Sequence, residues 1–444
     1  MTAPVRAQTF ATAAAPLTVV VIGGGIGGLA LAQGLKRAGV KVAVYERDRT
    51  RTDRLQGYRV HISPGGSRAL YECLPPHLFA AFDRTCGKPT RAVRFLTERM
   101  DVLLSLSTEL ASADPVAKHR SASRISLRQV LLADLDDIVH FDKTFTRYEE
   151  MPDGQVVAHF EDATWAAGDA LVAADGGGSR VRRQFLPQAP RIDTGVVGIA
   201  GKVFLDAATR ARLAPVLLDG LCLVAAPGAG LFVAPQELGD DAPATGIGGN
   251  DETAASGAHF DNTRSYLMWA LGARRARFGL TDDLDALDSR TLGAIVIDAM
   301  ASWDERFEDL VWLSHPDTIN ILPIRTSAPV APWPSGRVTL IGDAIHSMTP
   351  YRGIGANVAL RDAMLLARAL AAAQRGEQDL IAAIGAYEAA MRGYAFKAVG
   401  NSLAAMHRMV DTTAVGRAAS RTVFRAVDRL PALKRAMFRR MGEE

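Results

Sequence analysis

Cysteine is scarce in this chain. Its 444 residues hold three, Cys73, Cys86 and Cys222, and none stands in a C-x-x-C pair. That pattern suggests neither a metal site nor a disulfide framework, and it suits a reducing cytoplasm. No uninterrupted apolar run reaches about 18 residues, so a spanning helix and an integral membrane protein are not expected. The formal net charge is only +3, which makes no case for nucleic acid as a partner. Internal repeats are lacking. Residues 1–16 are rich in Ala and Thr, and Phe10 to Ala15 is too short an apolar core for a signal peptide. They read as a disordered leader. What the chain does have is 48% apolar and 22% charged residues, the composition of a globular protein. Its length exceeds one typical core, so two or more domains are expected.

Leu17 to Ile22 (LTVVVI) is a short β-branched run of the kind that forms a buried parallel strand. It leads into Gly23-Gly24-Gly25-Ile26-Gly27-Gly28, which fits G-x-G-x-x-G at Gly23, Gly25 and Gly28. A helical pattern through Leu29, Leu31, Ala32 and Leu35 follows, Gly39 stops it, and a second strand, Lys41 to Tyr45, ends at Glu46. The first glycine permits a tight turn, the second lets a pyrophosphate approach the backbone, and the third lets helix and strand pack closely. The helix start faces the phosphates. Glu46 stands 18 residues past Gly28, where an acid binds the hydroxyls of an adenosine ribose. An acid there favours a free 2′-hydroxyl, hence FAD or NAD.

A later stretch, residues 340–363, has related logic. Val338 to Ile341 reads as a buried strand, broken by Gly342 and Asp343. A loop with Pro350, Gly353 and Gly355 follows, and from Ala356 the pattern is helical. Asp343 can accept hydrogen bonds from the hydroxyls of a sugar-like chain, and N–H groups at a helix start can hold partial negative charge. A flavin offers both: a ribityl chain, and a pyrimidine edge that becomes anionic on reduction. The same stretch also reads as a strand–turn–helix with no ligand. Between the two motifs, a strand at Leu171 to Ala174 ends in Asp175-Gly176-Gly177-Gly178-Ser179-Arg180-Val181-Arg182. Ser179 and Arg182 are available there for phosphate contacts. Three such turns can converge at one edge of an open α/β sheet.

The remainder is less specific. Val93 to Thr97 with Val102 to Leu106, and Val156 to Phe160 with Thr164 to Ala167, read as hairpins. Gly57 to Ile62 reads as a short strand bearing His61, a weak ligand candidate. A helix starts at Ser123-Arg124; Arg124 is either a surface charge or a cation reaching a flavin. From about Pro187 to His315 strand-like segments alternate with turns, helical patterns lie near Thr263 to Arg277 and Leu292 to Trp303, and Thr318 to Ile324 returns to the first domain. Long helices are expected at Ala363 to Ala373 and Asp379 to Tyr394. The tail from Thr412 is basic, with apolar residues at helical spacing, which suits either packing on the core or attachment to a membrane surface.

Gly23-x-Gly25-x-x-Gly28…Glu46-Arg47, Asp175-Gly176-x-x-Ser179-x-x-Arg182 and Gly342-Asp343-Ala344…Pro350…Gly353…Gly355…Asn357…Asp362 stand together in this order. The set resembles the single-component FAD-dependent aromatic hydroxylases, the family of para-hydroxybenzoate hydroxylase. Within that family it looks most like monooxygenases of secondary metabolism and tetracycline-inactivating enzymes. The resemblance implies an α/β fold. A Rossmann-like FAD-binding domain (GR2-type) at 17–90, 108–186 and 316–400 would carry an inserted antiparallel-sheet substrate domain at 91–107 and 187–315, with a C-terminal helical region at 401–444. It implies noncovalent FAD. Gly23, Gly25, Ile26, Gly27, Gly28 and Arg182 would lie near the pyrophosphate, Glu46 at the adenosine ribose, and Asp343 at the ribityl chain, with Arg47 also among the cofactor-binding residues. Pro350, Gly353, Gly355, Ala356 and Asn357 would line the isoalloxazine. Arg124 falls where the family places a flavin-contacting arginine. The form Arg352-Gly353-Ile354-Gly355-Ala356-Asn357 replaces a more frequent Gly-Gln-Gly type.

The resemblance further implies that NADH or NADPH reduces the flavin without a separate nicotinamide domain. Oxygen then forms a flavin C4a-hydroperoxide, which hydroxylates an aromatic or polycyclic small molecule. Flavin carries the chemistry; no side-chain base is identifiable, with His61 and His346 weak candidates. Baeyer–Villiger insertion or epoxidation on the same fold, a dehydrogenase, and a noncatalytic flavin-binding protein remain alternatives. The W-x-W-x-I-P signature of flavin halogenases is absent. Monomer and homodimer are both compatible.

Overall fold

The computed structural model describes residues 16–51, 58–107, 114–239, 264–280, 284, 287–411 and 413–434. The expected leader, but for Pro16, lies outside these, as do parts of the polar stretch after Glu46, of the loop before Lys118 and of the basic tail.

Two sheets organise the chain. The first is parallel and five-stranded, in the order Val338–Leu340, Ala170–Ala173, Thr18–Ile22, Lys41–Tyr45, Val139–His140. Its central strands are buried on both faces; Val19, Val21, Leu171 and Val172 expose no surface. That burial is why they read as continuous apolar runs rather than alternating ones. The helices Ile26–Arg37 and Gly355–Gln374 cover it and pack closely: a Cβ on Gly34 would lie 3.0 Å from Cβ of Ala367. A three-stranded antiparallel sheet, Phe145–Glu150, Val156–Phe160 and Trp165–Gly168, is attached to this unit.

The second large sheet is seven-stranded, in the order Asn320–Ser327, Arg191–Phe204, Tyr266–Arg274, Ala229–Gln236, Leu221–Ala226, Ala92–Leu96, Val102–Ser107. It is antiparallel except where Leu221–Ala226 runs parallel to Ala92–Leu96. Val197, Ile199, Leu231 and Trp269 pack on one face against Leu292, Val296 and Phe307. The opposite face meets the first unit. There a Cβ on Gly272 would lie 2.2 Å from Oη of Tyr351, and one on Gly230 would lie 2.0 Å from Cγ of Met409. Met409 belongs to the long helix Leu380–Val410. A small two-stranded sheet, Arg59–Ile62 with Arg120–Ser123, lies between the units. Tyr58 beside it donates to the Thr318 carbonyl at 2.9 Å.

Three expectations are corrected. The segment read as helical from Thr263 to Arg277 contains the strand Tyr266–Arg274. It is central in the sheet and covered on both faces, so its apolar run carries no period-two signal. Thr318 to Ile324 does not return to the first unit, because Asn320–Ser327 pairs with Arg191–Phe204 at the sheet edge. The helix expected to end at Tyr394 continues to Val410, since its last turns find an apolar seat on Val196 and Ile324. In the tail, Ala414–Asp428 is a helix lying on the edge strand Val102–Ser107. Among the described residues no helix is long and apolar enough to cross a membrane.

Candidate functional site

Three turns leave the carboxyl ends of three adjacent strands of the parallel sheet, and they touch. Gly23 has φ +108°, and a Cβ there would lie 2.4 Å from the Ala174 carbonyl oxygen just before Asp175. A Cβ on Gly28 would lie 2.1 Å from the Gly23 carbonyl oxygen, so only glycine lets the helix sit this close to the strand end. Ile26 opens that helix, and Gly27 faces Ala359 and Ile341 of the third turn and its helix. Gly25 differs from its neighbours. Its φ of −80° suits any residue, and no protein atom lies within 4 Å of where its Cβ would be. Neither backbone strain nor packing demands glycine there. An open face over a helix start that no side chain caps fits a pyrophosphate.

Glu46 is buried, and both its oxygens already serve the loop. Oε2 accepts from Gly24 N–H at 2.5 Å and Oε1 from Asp48 N–H at 3.0 Å. Arg47 is exposed. Arg124 begins the helix Arg124–Leu132 with its side chain exposed. The cation that grips the loop lies one turn on and was not read from the sequence. Arg128 donates from Nε to the Gly24 carbonyl at 3.2 Å and from Nη1 to the Arg51 carbonyl at 2.7 Å, and its Nη2 lies 3.5 Å from Asp48. Nothing local in the sequence marks it, because its partners lie 104 and 77 positions away.

In the second turn Gly176 adopts φ +74°. Oδ2 of Asp175 accepts from Arg180 N–H at 2.8 Å, while Oδ1 is buried without a partner. Burial raises the carboxyl pKa, opposed by those hydrogen bonds. Ser179 caps the following helix by accepting from Arg182 N–H at 2.9 Å, so its hydroxyl serves the fold rather than standing free for phosphate. Arg182 is likewise committed to the chain, donating to the Ala344 carbonyl at 2.6 Å and the Gly177 carbonyl at 2.9 Å. It clamps the second turn to the third.

In the third turn Gly342 has φ +59°, and its N–H donates to Asp362 at 2.8 Å. Asp343 is exposed at the start of the short helix Asp343–His346. His346 pairs with Asp362. Pro350 begins a short 3-10 turn that Gly353 closes at φ +63°, and Gly355 and Ala356 start the helix Gly355–Gln374. The Asn357 side chain is engaged within the fold. Its Oδ1 accepts from Ser63 N–H and its Nδ2 donates to the His61 carbonyl, each at 2.8 Å, so its side chain fastens the strand Arg59–Ile62 to this helix. His61 stacks on His119, with centroids 5.1 Å apart. Burial, with Arg59 and His119 adding, pushes its pKa down to about 3, and such an imidazole is neutral.

The turns thus form one cradle with an open glycine face, an uncapped helix start, a buried carboxylate oxygen without a partner, and an exposed aspartate. These donors and acceptors fit FAD. The comparisons agree. The chain matches a FAD binding domain family over residues 297–402 and an NAD(P)-binding Rossmann-like domain family over residues 21–85. It is 30% identical to the FAD-dependent urate hydroxylase of Klebsiella pneumoniae over 380 residues, 84% of this chain and 85% of that one. It is also 30% identical to the dual O-methyltransferase/FAD-dependent monooxygenase elcB of Phaeosphaeria nodorum over 83% of its own length, which is 42% of elcB. The chain spans about half the length of elcB and of its Cercospora counterparts. In structure it resembles a putative FAD-containing monooxygenase from Photorhabdus luminescens, with TM-score 0.78 and 34% identity, covering 89% of this chain and 98% of that one. With the glycine cradle and these likenesses together, the chain belongs to the family of FAD-dependent aromatic hydroxylases and monooxygenases.

Proposed function

We propose that this chain hydroxylates an aromatic or polycyclic small molecule, using FAD, NADH or NADPH, and O2. The observation that carries the reading is the cradle: three turns in contact at the carboxyl edge of the parallel sheet, the third reaching the second sheet where Tyr351 lies beside Gly272. In it, the backbone of Gly23 to Gly28 would hold the pyrophosphate, Glu46 would meet the adenosine ribose through its remaining lone pairs, and Asp343 would take the ribityl hydroxyls. FAD, when bound, supplies the redox and oxygen-activating chemistry. The protein's part is placement, charge and dryness. The start of the helix Gly355–Gln374, which no side chain caps, would stabilise negative charge on a flavin held there by roughly 0.3–2 kcal/mol. Pro350, Gly353 and Ala356 shape the ring's surroundings. The seven-stranded sheet supplies an apolar wall. Alternation puts Ala200, Phe232, Met268 and Ala270 on the face away from the helix-covered core, which suits a hydrophobic ring system and keeps water out.

Positive charge for the phosphates of a visiting nicotinamide dinucleotide lies beside the second turn. The Arg191 guanidinium rests against Gly177, where a Cβ would lie 2.6 Å from its Cζ, and Arg182 and Arg325 are close enough to act on the local charge. The cysteines Cys73, Cys86 and Cys222 are free thiols, consistent with placement in the cytoplasm.

The test is turnover of the FAD-loaded chain under 18O2 with candidate phenols and NADH or NADPH. The reading expects one labelled oxygen atom in the product. Oxidation of the nicotinamide with all oxygen recovered as hydrogen peroxide, for every ring compound offered, overturns it.

A further inference from the structure

The C-terminal helix Ala414–Asp428 has two faces, and the fold uses one. On the inner side Phe424 packs against Phe95 with ring centroids 4.7 Å apart, Asp428 accepts from Ser105 N–H at 3.0 Å, and Arg421 pairs with Glu98. Thr413 caps the helix start by accepting from Gly416 N–H at 3.1 Å. These contacts fix its rotation about its own axis. On the outer side Val415 is 80% exposed and Val423 56%, and just past the helix end Leu430 is 50% and Leu433 48% exposed. Scattered exposed hydrophobics need no explanation, but these recur along one short segment.

Charge decides what covers them. Arg425 and Arg429 are exposed on the flank of this stripe. Residues 413–434 contain five basic residues and one acid, Asp428. That acid is turned inward onto Ser105 and Lys434, so among the described residues the outer face offers arginines and no carboxylate. A second copy of this helix would bring arginine against arginine. An anionic bilayer surface supplies both things the face lacks: apolar depth for the Val and Leu side chains, and phosphates for the arginines. We infer that the outer face of residues 414–434 attaches this protein to an anionic lipid surface. It does not depend on the reaction proposed above.

The experiment is co-sedimentation of the full FAD-loaded chain with vesicles of phosphatidylcholine alone, or with about one-third phosphatidylserine. The inference expects at least roughly tenfold tighter binding to the anionic vesicles, lost at about 0.5 M salt, where exposed charges are screened. Val423→Asp with Leu430→Asp, and separately Arg425→Glu with Arg429→Glu, should each weaken binding roughly tenfold or more with FAD content unchanged. Should either variant fail to fold, the salt titration of the unsubstituted chain decides. Absence of vesicle binding, equal binding to neutral vesicles, or self-association abolished by the same substitutions without vesicle binding overturns the inference.

Discussion

Nε2 of His346 lies 2.6 Å from Oδ2 of Asp362, and neither side chain reaches solvent. The same carboxylate accepts from Gly342 N–H at 2.8 Å and Tyr394 Oη–H at 2.5 Å. One buried acid therefore holds the glycine that begins the third turn, the histidine that ends its short helix, and the long C-terminal helix. Burial by itself would lower the His346 pKa; the Asp362 charge and hydrogen bond, with Asp343 beyond, outweigh it, and the net direction is upward from 6.5.

A raised folded-state pKa means that this pair's contribution to stability is full below about pH 6.5 and is lost as pH rises through the folded value. Asp362→Asn should cost about 3–5 kcal/mol, because it leaves a buried imidazole without its counter-charge. Thermal unfolding of both proteins from about pH 5.5 to about pH 8.5 checks this. The gap between them should narrow as pH rises; a gap constant across the range would mean that His346 is neutral throughout.

Gly25 and Gly28 should separate cofactor binding from folding. Gly28→Ala forces a Cβ within 2.1 Å of a carbonyl oxygen, so the cofactor-free protein should lose about 1–3 kcal/mol. Gly25→Ala meets no protein atom within 4 Å, so cofactor-free stability should change by no more than about 0.5 kcal/mol. Its FAD affinity should nevertheless fall roughly tenfold or more, since the methyl group fills the space left for the phosphates. Denaturation of the stripped proteins and FAD titration by fluorescence read the two effects apart.

Arg128→Ala removes a fork that holds the carbonyls of Gly24 and Arg51. Leaving those acceptors without their donor should cost about 1–3 kcal/mol and loosen FAD. Arg128→Lys should restore little, because an ammonium cannot span both carbonyls as the planar fork does. Arg124→Ala should leave stability within about 0.5 kcal/mol. Any fall in FAD affinity at Arg124 then reports a contact with the cofactor itself, and an unchanged affinity leaves it a surface charge.

The contrast between these two arginines shows which kinds of feature sequence can carry. Strands such as Thr18–Ile22 and Ala170–Ala173 were legible because both faces are buried and glycine turns punctuate their ends. The order of glycines and acids followed for the same reason: each turn is local, and its demands fall on consecutive residues. Arg128 reaches Gly24, 104 positions away, and Asp362 reaches Gly342 across 20. No periodicity encodes such pairings. Tyr266–Arg274 was misread because a central strand covered on both sides lacks alternation. Asn357 was assigned to the cofactor by its place in a motif, and its amide also holds the backbone of His61 and Ser63. That use depends on a strand almost 300 residues earlier.

The Arg191 proposal yields the remaining prediction. Its guanidinium lies against Gly177; burial lowers its pKa, the Asp343 charge raises it and Arg325 lowers it again. Arg191→Glu reverses one charge beside the second turn without touching Glu46, Gly25 or the helix start at Gly355. FAD content, read beside the KM, separates lost nicotinamide binding from an effect passed through Asp343, whose charge acts on Arg191. The KM for NADH or NADPH should rise roughly tenfold, by the loss of a charge-assisted hydrogen bond of about 1.5–3 kcal/mol. Added salt should weaken nicotinamide binding in the unsubstituted enzyme more than in the variant, because exposed charges are screened over about 10 Å. An Arg191→Glu protein with unaltered KM and unaltered salt dependence would remove this arginine from the path of the nicotinamide and move attention to Arg325 on the neighbouring strand.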